Sequence, residues 1–332
     1  TGANNTSVGS CSLANNTTAD GNSALGKGAL ETNTTGASNV ALGQDALNDN
    51  TTANDNTGLG FRALCENTTG CQNTAVGNST MRQNQTGDAN TAVGYRALDN
   101  NTADNNTAVG KDALRTNTSG AQNTAVGRLS LDANTTGAEN TATGNSALGA
   151  NTTGGNNSAF GSSALVANTT GARNAAVGIE ALSANTTGDD NTAVGQCALK
   201  VNTTSHDNTA VGSYALQDNT SGTQNTAIGI QAMRYGTTGN YNVALGAFTL
   251  GASDVNTGDH NIAIGRKAMF DNTSGTENIA IGSTALESNT SGAQNVAIGC
   301  SSLDANTTAN HSTGVGWCAL TDNTTGCQNT AV

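Results

Sequence analysis

Histidines, cysteines and acidic residues are the side chains of this sequence best suited to carry chemistry. His206, His260 and His311 lie far apart in polar stretches, where we do not expect them to meet. Asp and Glu residues follow no spacing that would hold a metal ion, and the calcium-binding pattern GGxGxDxxx is absent. The glycines lack the strand–loop–helix context of a phosphate-binding loop. We therefore expect no catalysis, no metal and no cofactor.

Seven cysteines offer a second kind of chemistry. Cys65 and Cys71 flank the turn at 66–70 and are candidates for a disulfide that closes it. Cys300 and Cys318 are less well matched, because they fall at neighbouring rather than equivalent positions of adjacent repeats. Free thiols and crosslinks between subunits in an oxidising medium both fit the remaining cysteines. These have no obvious partner in the chain: Cys11, Cys197 and Cys327.

Asn-Thr-Thr and Asn-Thr-Ser triplets recur along the chain as a third candidate site. In a secreted eukaryotic protein they would accept N-linked glycans and surround one edge of the molecule with sugar. In a bacterial or phage protein the same residues would serve only as turn residues. The candidate glycosylation sites are Asn117, Asn134, Asn168, Asn219 and Asn289.

A repeated phrase organises all of these residues. NTAVG at 90–94 returns at 191–195, and its variants recur every 17 residues, with one interval of 16 (Gly94 to Gly110) and one of 19 (Gly246 to Gly265). We call the glycines that end the phrase the anchor glycines. They are Gly9, Gly26, Gly43, Gly60, Gly77, Gly94, Gly110, Gly127, Gly144, Gly161, Gly178, Gly195, Gly212, Gly229, Gly246, Gly265, Gly282, Gly299 and Gly316.

Each position relative to the anchor glycine has its own character. The residue before it is apolar in 18 of 19 repeats, and the residue two before it is always Ala, Gly or Ser. The fourth residue after it is always Leu or Met. Asn stands four residues before it in 18 repeats and seven residues after it in 17. This alternation, with Thr, Val and Ile at its outer positions, indicates a short strand rather than a helix.

Such short strands bury their faces only when successive repeats stack, which predicts an all-β fold, a β-solenoid of parallel strands with about 19–20 coils. Seventeen residues suffice for two short strands and two turns in each coil. We expect the Leu/Met position and the apolar position before the anchor glycine to fill the interior. The glycine would supply a positive φ or a close approach, and the Asn residues would form hydrogen-bonded ladders. Residues 1–332 are expected to be one repeat domain, excerpted from a longer array.

The small residue two before the anchor glycine indicates close packing, either against the opposite side of a thin roll or against another subunit. The position before it is mostly Thr, but it becomes aliphatic at Val243, Ile262, Ile279 and Val296. This more apolar stretch favours a subunit interface or a more tightly packed core at these repeats.

The composition and net charge of the chain exclude several kinds of core and binding partner. Aromatic residues make up 3% of the chain and proline is absent, which is too few bulky side chains for a thick globular core. The net charge of −12 would repel a nucleic acid, so none is expected as a partner. No apolar run is long enough to cross a bilayer, so we expect no membrane insertion.

The segments NTAVGYRAL (90–98), NIAIGRKAM (261–269) and NVAIGCSSL (295–303) resemble the head repeats of YadA-type trimeric autotransporter adhesins, and similar repeats occur in phage and viral fibre proteins. The resemblance covers the whole chain and implies a left-handed parallel β-roll with three chains about a common axis. Here the NTTG-containing segment makes each repeat longer than is typical of that family.

The resemblance further implies an extracellular, surface-exposed or virion fibre that adheres or acts as a spacer. We therefore expect a structural or adhesive fibre segment whose partner is itself, as a homotrimer or filament, with a surface or host-cell ligand in addition. Two alternatives are an ice-binding solenoid, suggested by the Thr column at Thr74, Thr91 and Thr107, and a glycan-sheathed extracellular fibril.

Overall fold

The computed structural model describes residues 2–251, 253 and 255–332. It consists of two compact units, Thr1–Ser163 with Ala167–Thr170 and Ala164–Val166 with Gly171–Val332. Each unit is a β-solenoid of parallel strands, which confirms the predicted fold class. The hand of the coil and the single uninterrupted domain stay predictions. No helix that could span a membrane occurs among the described residues.

Each repeat contributes one strand, and every strand but the last has three residues. The first unit contains β1 (Thr6–Val8), β2 (Ser23–Leu25), β3 (Val40–Leu42), β4 (Thr57–Leu59), β5 (Thr74–Val76), β6 (Thr91–Val93), β7 (Thr107–Val109), β8 (Thr124–Val126), β9 (Thr141–Thr143) and β10 (Ser158–Phe160). The second contains β11 (Ala175–Val177), β12 (Thr192–Val194), β13 (Thr209–Val211), β14 (Thr226–Ile228), β15 (Val243–Leu245), β16 (Ile262–Ile264), β17 (Ile279–Ile281), β18 (Val296–Ile298), β19 (Thr313–Val315) and β20 (Thr330–Ala331).

The prediction of two strands in each coil is wrong. After the anchor glycine Gly127, the second and fourth residues, Leu129 and Leu131, have φ of 57° and 49°. These are left-handed conformations, which turn the chain and interrupt an extended strand. The same two positions are left-handed in coil after coil, so the chain returns to the next strand through turns alone.

Strand register is independent of coil length. Across the 16-residue interval Thr91, Ala92 and Val93 pair with Thr107, Ala108 and Val109. Across the 19-residue interval Val243 still pairs with Ile262. Both length changes are therefore absorbed in the polar segment between strands.

The anchor glycines are required by their φ, and those such as Gly127 are required by lack of space as well. Their φ values lie near that of Gly127, which is 135°. Residues that carry a Cβ atom rarely adopt this backbone conformation. A Cβ atom at Gly127 would overlap the carbonyl group of Gly144 in the next coil. The predicted positive φ and the predicted close approach are both confirmed.

The interior is thin and nearly uniform. It consists of the middle residue of each strand together with the third and fourth residues after each anchor glycine, such as Ala125, Ser130 and Leu131. A Cβ atom on Gly58, which replaces the strand Ala, would lie 3.3 Å from Cγ of Leu47 and 3.2 Å from the carbonyl oxygen of Ala63. The roll's own interior therefore restricts the middle strand position to small residues, with no second subunit involved.

The apolar residue before the anchor glycine does not fill the interior, contrary to prediction. In a three-residue strand the middle side chain points inward, and the first and third point outward. Val126 is 36% exposed and Ile298 is 38% exposed, whereas Ala125 is fully buried. The predicted alternation is present, but the buried face carries the smaller residue rather than the larger one.

A pair of substitutions tests whether the middle residue of the strand points inward. Ala125→Val adds two methyl groups where Ala125 is fully buried, and overpacking of this kind costs about 1–3 kcal/mol. Thr124→Val changes the neighbouring, outward side chain and should leave stability nearly unchanged. Denaturant midpoints of the two variants measure the difference, and equal midpoints would contradict the inward position of the strand alanines.

Candidate functional site

The outward side chains of the strands form a continuous surface in each unit. We call the first and third residues of the strands the outer strip. Along β17 these are Ile279 and Ile281, and the parallel, in-register pairing places each beside its equivalent in β16 and β18. No residue of the outer strip is charged in any of the twenty strands, although 11% of the chain is charged. A face with that composition is unusual for a surface in contact only with water.

The polarity of the outer strip changes along the chain. In β4–β9 its first column is Thr throughout, whereas in β15–β18 both columns are aliphatic. A shallow apolar groove also runs over β1–β3, lined by Val8, Leu25, Val40 and Leu42. With strands about 4.8 Å apart and about 10 Å long, ten strands give each unit a strip of roughly 480 Å².

Two ladders of Asn side chains meet inside the turns. The strand ladder consists of the Asn side chains that immediately precede the strands. The turn ladder consists of the Asn side chains seven residues after the anchor glycines. In one coil Asn123 Nδ2 and Asn134 Nδ2 each donate to the carbonyl oxygen of Gly137 at 2.9 Å. The same pair of bonds converges on the oxygen of Gly120 in the coil before it. The predicted Asn ladders are confirmed.

Each ladder also connects neighbouring coils. Asn134 Nδ2 donates to Asn117 Oδ1 at 2.8 Å, and Asn134 Oδ1 accepts from Asn151 Nδ2 at 2.8 Å. In the strand ladder the backbone N–H of Asn140 donates to Asn123 Oδ1 at 3.0 Å. The side chains are fully buried, so these bonds replace those that water would otherwise make.

The five candidate glycosylation sites lie in the turn ladder, and the structure contradicts their use. Their side chains are at most 1% exposed. Nδ2, the atom that would carry the sugar, donates a hydrogen bond to a turn carbonyl or to a neighbouring Asn of the ladder. A glycan on that nitrogen has no room inside the roll. The sites so corrected are Asn117, Asn134, Asn168, Asn219 and Asn289.

One break in the turn ladder identifies a residue that sequence counting missed. Gly236 stands where an Asn is expected, and in the 19-residue coil Asn256, rather than Ser253, occupies the ladder position and pairs with Gly236. Asn256 Oδ1 accepts from Asn272 Nδ2 at 3.4 Å, whereas Asn256 Nδ2 is buried without a hydrogen-bond partner. Asn256 lies ten residues after Gly246 and nine before Gly265, so counting from either anchor glycine misses it.

The three histidines lie in different coils. His260 stacks on Tyr241 with ring centroids 4.9 Å apart, and His206 Nδ1 lies 2.9 Å from Asp207 Oδ2. Among residues 2–251, 253 and 255–332, no three His, Cys, Asp or Glu side chains form a group that could hold a metal ion.

The structure does not join Cys65 to Cys71. Cys65 is buried, and burial raises the pKa of its thiol. Cys71 Sγ accepts from the backbone N–H of Asn54 and donates to the carbonyl oxygen of Thr69. The other cysteines are free thiols as well, including Cys300 and Cys318, whose backbones share a hydrogen bond of 2.9 Å.

A ladder of ion pairs, which the sequence reading missed, follows the anchor glycines in the first unit. Arg82 Nε lies 3.2 Å from Asp99, and Arg115 Nε lies 3.1 Å from Asp132. Arg96 contacts Asp99 from a neighbouring position. Burial raises the pKa of Asp99 despite the opposing effect of Arg82. The signal was present in the sequence as alternating Arg and Asp at the repeat spacing.

Asp49 is a half-buried acid without such a cation. Burial raises the pKa of its carboxyl, and repulsion from Glu31 in the preceding coil adds to the rise. The ionised form therefore destabilises the folded state at neutral pH, and the penalty is relieved as the pH falls through the folded pKa.

No model of a known protein family matches the chain, and no curated protein matches it.

The turn ladder predicts an effect of a single buried amide. Asn134→Ala leaves the carbonyl of Gly137, the oxygen of Asn117 and the amide of Asn151 each short of one hydrogen bond, at about 1–3 kcal/mol for a buried group left unsatisfied. Thr136→Ala alters an exposed side chain of the same triplet and serves as the control. Thermal unfolding should separate the two, and a loss confined to Thr136→Ala would contradict the ladder.

A pH series tests Asp49. Because the pKa of Asp49 is raised above its ordinary 3.8, Asp49→Asn should raise the unfolding temperature at pH 7. The gain should shrink as the pH falls and vanish below that ordinary value, where the carboxyl is neutral in both the folded and the unfolded chain. Asp55→Asn, at an exposed position, is the control. A gain that persists in acid would show that charge is not its cause.

Proposed function

We propose that the chain is a segment of an extracellular structural or adhesive fibre whose copies associate through the outer strip. The observation that carries this proposal is the absence of charge from the strip in every strand, together with its exposed aliphatic side chains. Contiguous exposed apolar patches of several hundred Å² mark interaction sites on soluble proteins. The repetition would thus serve to extend one adhesive face.

The association should be strongest at β15–β18. There the first column is Val243, Ile262, Ile279 and Val296, and the third column is Leu245, Ile264, Ile281 and Ile298. Removing both columns from water yields roughly 25 cal/mol for each Å² of apolar surface buried. A second copy of the same strip offers a matching flat surface without a charge to desolvate.

Three chains about a common axis, a left-handed coil and a location at a cell surface or in a virion fibre follow from the resemblance to YadA-type head repeats. The outer strip supports self-association, and the resemblance is the reason for proposing three copies. In this role the chain acts as a spacer or adhesive element, and no catalysis is proposed.

Ice binding is the second candidate, because the Thr and Val columns of β5–β8 lie on one outward face. A regular row of Thr hydroxyls and methyl groups is the feature it requires. The outer strip has one Thr column rather than two, and Thr gives way to Val and Ile at β15–β18. Thermal hysteresis by the purified chain would favour this candidate over the fibre.

The fibre is tested by charging the outer strip. Ile281 is 37% exposed and lies in register with Ile264 and Ile298. Ile281→Lys would place an unpaired cation from each copy in the interface, so we expect light scattering to show the mass falling from three chains to one. Circular dichroism should be unchanged, because the side chain points away from the interior.

Ser283→Lys is the matched control. It adds the same charge two residues later at an exposed position outside the outer strip and should leave the mass unchanged. A wild-type chain that is monomeric at micromolar concentration would refute the proposed association. An Ile281→Lys variant that keeps the wild-type mass would exclude this part of the strip from the interface.

A further inference from the structure

Basic side chains are confined to one side of the coil. All Lys and Arg residues except Arg173 stand at the first, second or fifth position after an anchor glycine. The repeat places these positions together on successive coils, on a face separate from the outer strip. Acidic residues such as Asp45, Asp99 and Glu287 share these positions, so the surface is basic only in those coils where Lys and Arg without an acidic partner outnumber them.

The basic residues cluster in five consecutive coils of the first unit. At the fifth position, Arg82 and Arg115 are held by Asp99 and Asp132. The first and second positions carry a set of more accessible side chains, which we call the basic patch. It comprises Phe61, Arg62, Tyr95, Arg96, Lys111 and Arg128.

The basic patch retains free positive charge. Arg62 and Arg128 are exposed and have no ion pair with a described residue, and Lys111 approaches Asp112 only at 3.9 Å. Asp99 and Asp112, which contact Arg96, are themselves buried. These two carboxylates are therefore withdrawn from the surface, whereas the side chains of Arg62, Lys111 and Arg128 are exposed.

Aromatic rings lie among these cations. Phe61 is 43% exposed and Tyr95 is 46% exposed. The guanidinium of Arg62 lies 5.9 Å from the centre of the Phe61 ring, and Lys111 Nζ lies 5.9 Å from that of Tyr95. An exposed ring beside a cation offers an apolar surface and a charge to one ligand.

The spacing of the patch selects an extended ligand. Arg62, Arg96 and Arg128 belong to alternate coils, so their backbones are roughly 10 Å apart along the stack. That interval is comparable to the length of one disaccharide. We propose that the basic patch binds an extended acidic polysaccharide, whose carboxylate or sulfate groups pair with these cations while sugar rings pack on Phe61 and Tyr95.

Other polyanions fit the surface less well. A nucleic acid carries a phosphate on every nucleotide, at intervals shorter than the roughly 10 Å between the backbones of these basic residues. Among the described residues of the second unit, two lysines at the corresponding positions are neutralised by acids of other coils. Lys200 is paired with Glu180 at 2.7 Å, and Lys267 is paired with Glu287 at 2.8 Å.

Fluorescence anisotropy with labelled heparin and labelled hyaluronate tests the proposal at low salt, with dextran as a neutral probe and oligo(dT) as a different polyanion. The wild-type chain should bind at least one of the two acidic glycans and not dextran. The triple variant Arg62→Gln, Lys111→Gln, Arg128→Gln should bind that glycan about tenfold more weakly. All three side chains are exposed, so its circular dichroism should match the wild type.

A second triple variant, Arg173→Gln, Arg266→Gln, Lys267→Gln, removes the same charge from the second unit and should keep wild-type affinity. Equal weakening of both triple variants would reduce the effect to net charge and overturn the proposal. So would the absence of wild-type binding to both acidic glycans, or oligo(dT) binding as tight as that of the glycan. Self-association is measured separately on the outer strip, so either proposal can fail alone.

Discussion

The turn that closes each coil leaves a backbone carbonyl inside the roll, where water cannot reach it. The oxygen of Gly137 receives two side-chain amides, one from each Asn ladder. A buried carbonyl without partners would destabilise so thin a structure, because its few interior Ala and Leu side chains supply little apolar burial to offset it. The coil therefore depends on Asn at two places, and the stack depends on Asn at the same places in neighbouring coils.

Neighbouring coils also hold the backbone in conformations that single residues avoid. Leu129, Leu131 and Glu139 all have left-handed φ, and equivalent residues do so throughout the described chain. Each such residue is disfavoured by roughly 1–2 kcal/mol in isolation. Backbone bonds to adjacent coils, such as that from Leu131 N to Ala147 O at 3.0 Å, hold these residues in place. Individual coils are thus stabilised by their neighbours rather than by local preference.

Several features of this architecture could be predicted from the sequence because they repeat. The anchor glycines and the two Asn columns report constraints imposed in the same way in coil after coil, and 17-residue spacing shows them directly. Which side chains of the strand point into the interior could not be predicted so simply. Val126 is larger and more apolar than Ala125, and size suggested burial, whereas the thin interior admits only the smaller side chain. The Asn-Thr-Thr triplet was ambiguous for a related reason, since a sequence motif for glycosylation says nothing of whether Asn134 Nδ2 is accessible.

Features confined to a few coils were harder to predict. The ion pairs of Arg82 and Arg115 depend on adjacency between coils, which appears only when residues a repeat apart are placed side by side. Asn256 was hidden because it lies three positions beyond the place where counting from Gly246 expects an Asn. The basic patch required both steps, because its members share neither one column nor one residue type.

Independence of strand register from coil length has a consequence for how such a chain changes over generations. Pairing across the 16-residue and 19-residue intervals is the same as across 17 residues. Recombination between repeats can therefore cross over out of phase by a residue or two without misaligning the sheet. Repeat number becomes a heritable variable that alters reach while leaving each coil's fold intact.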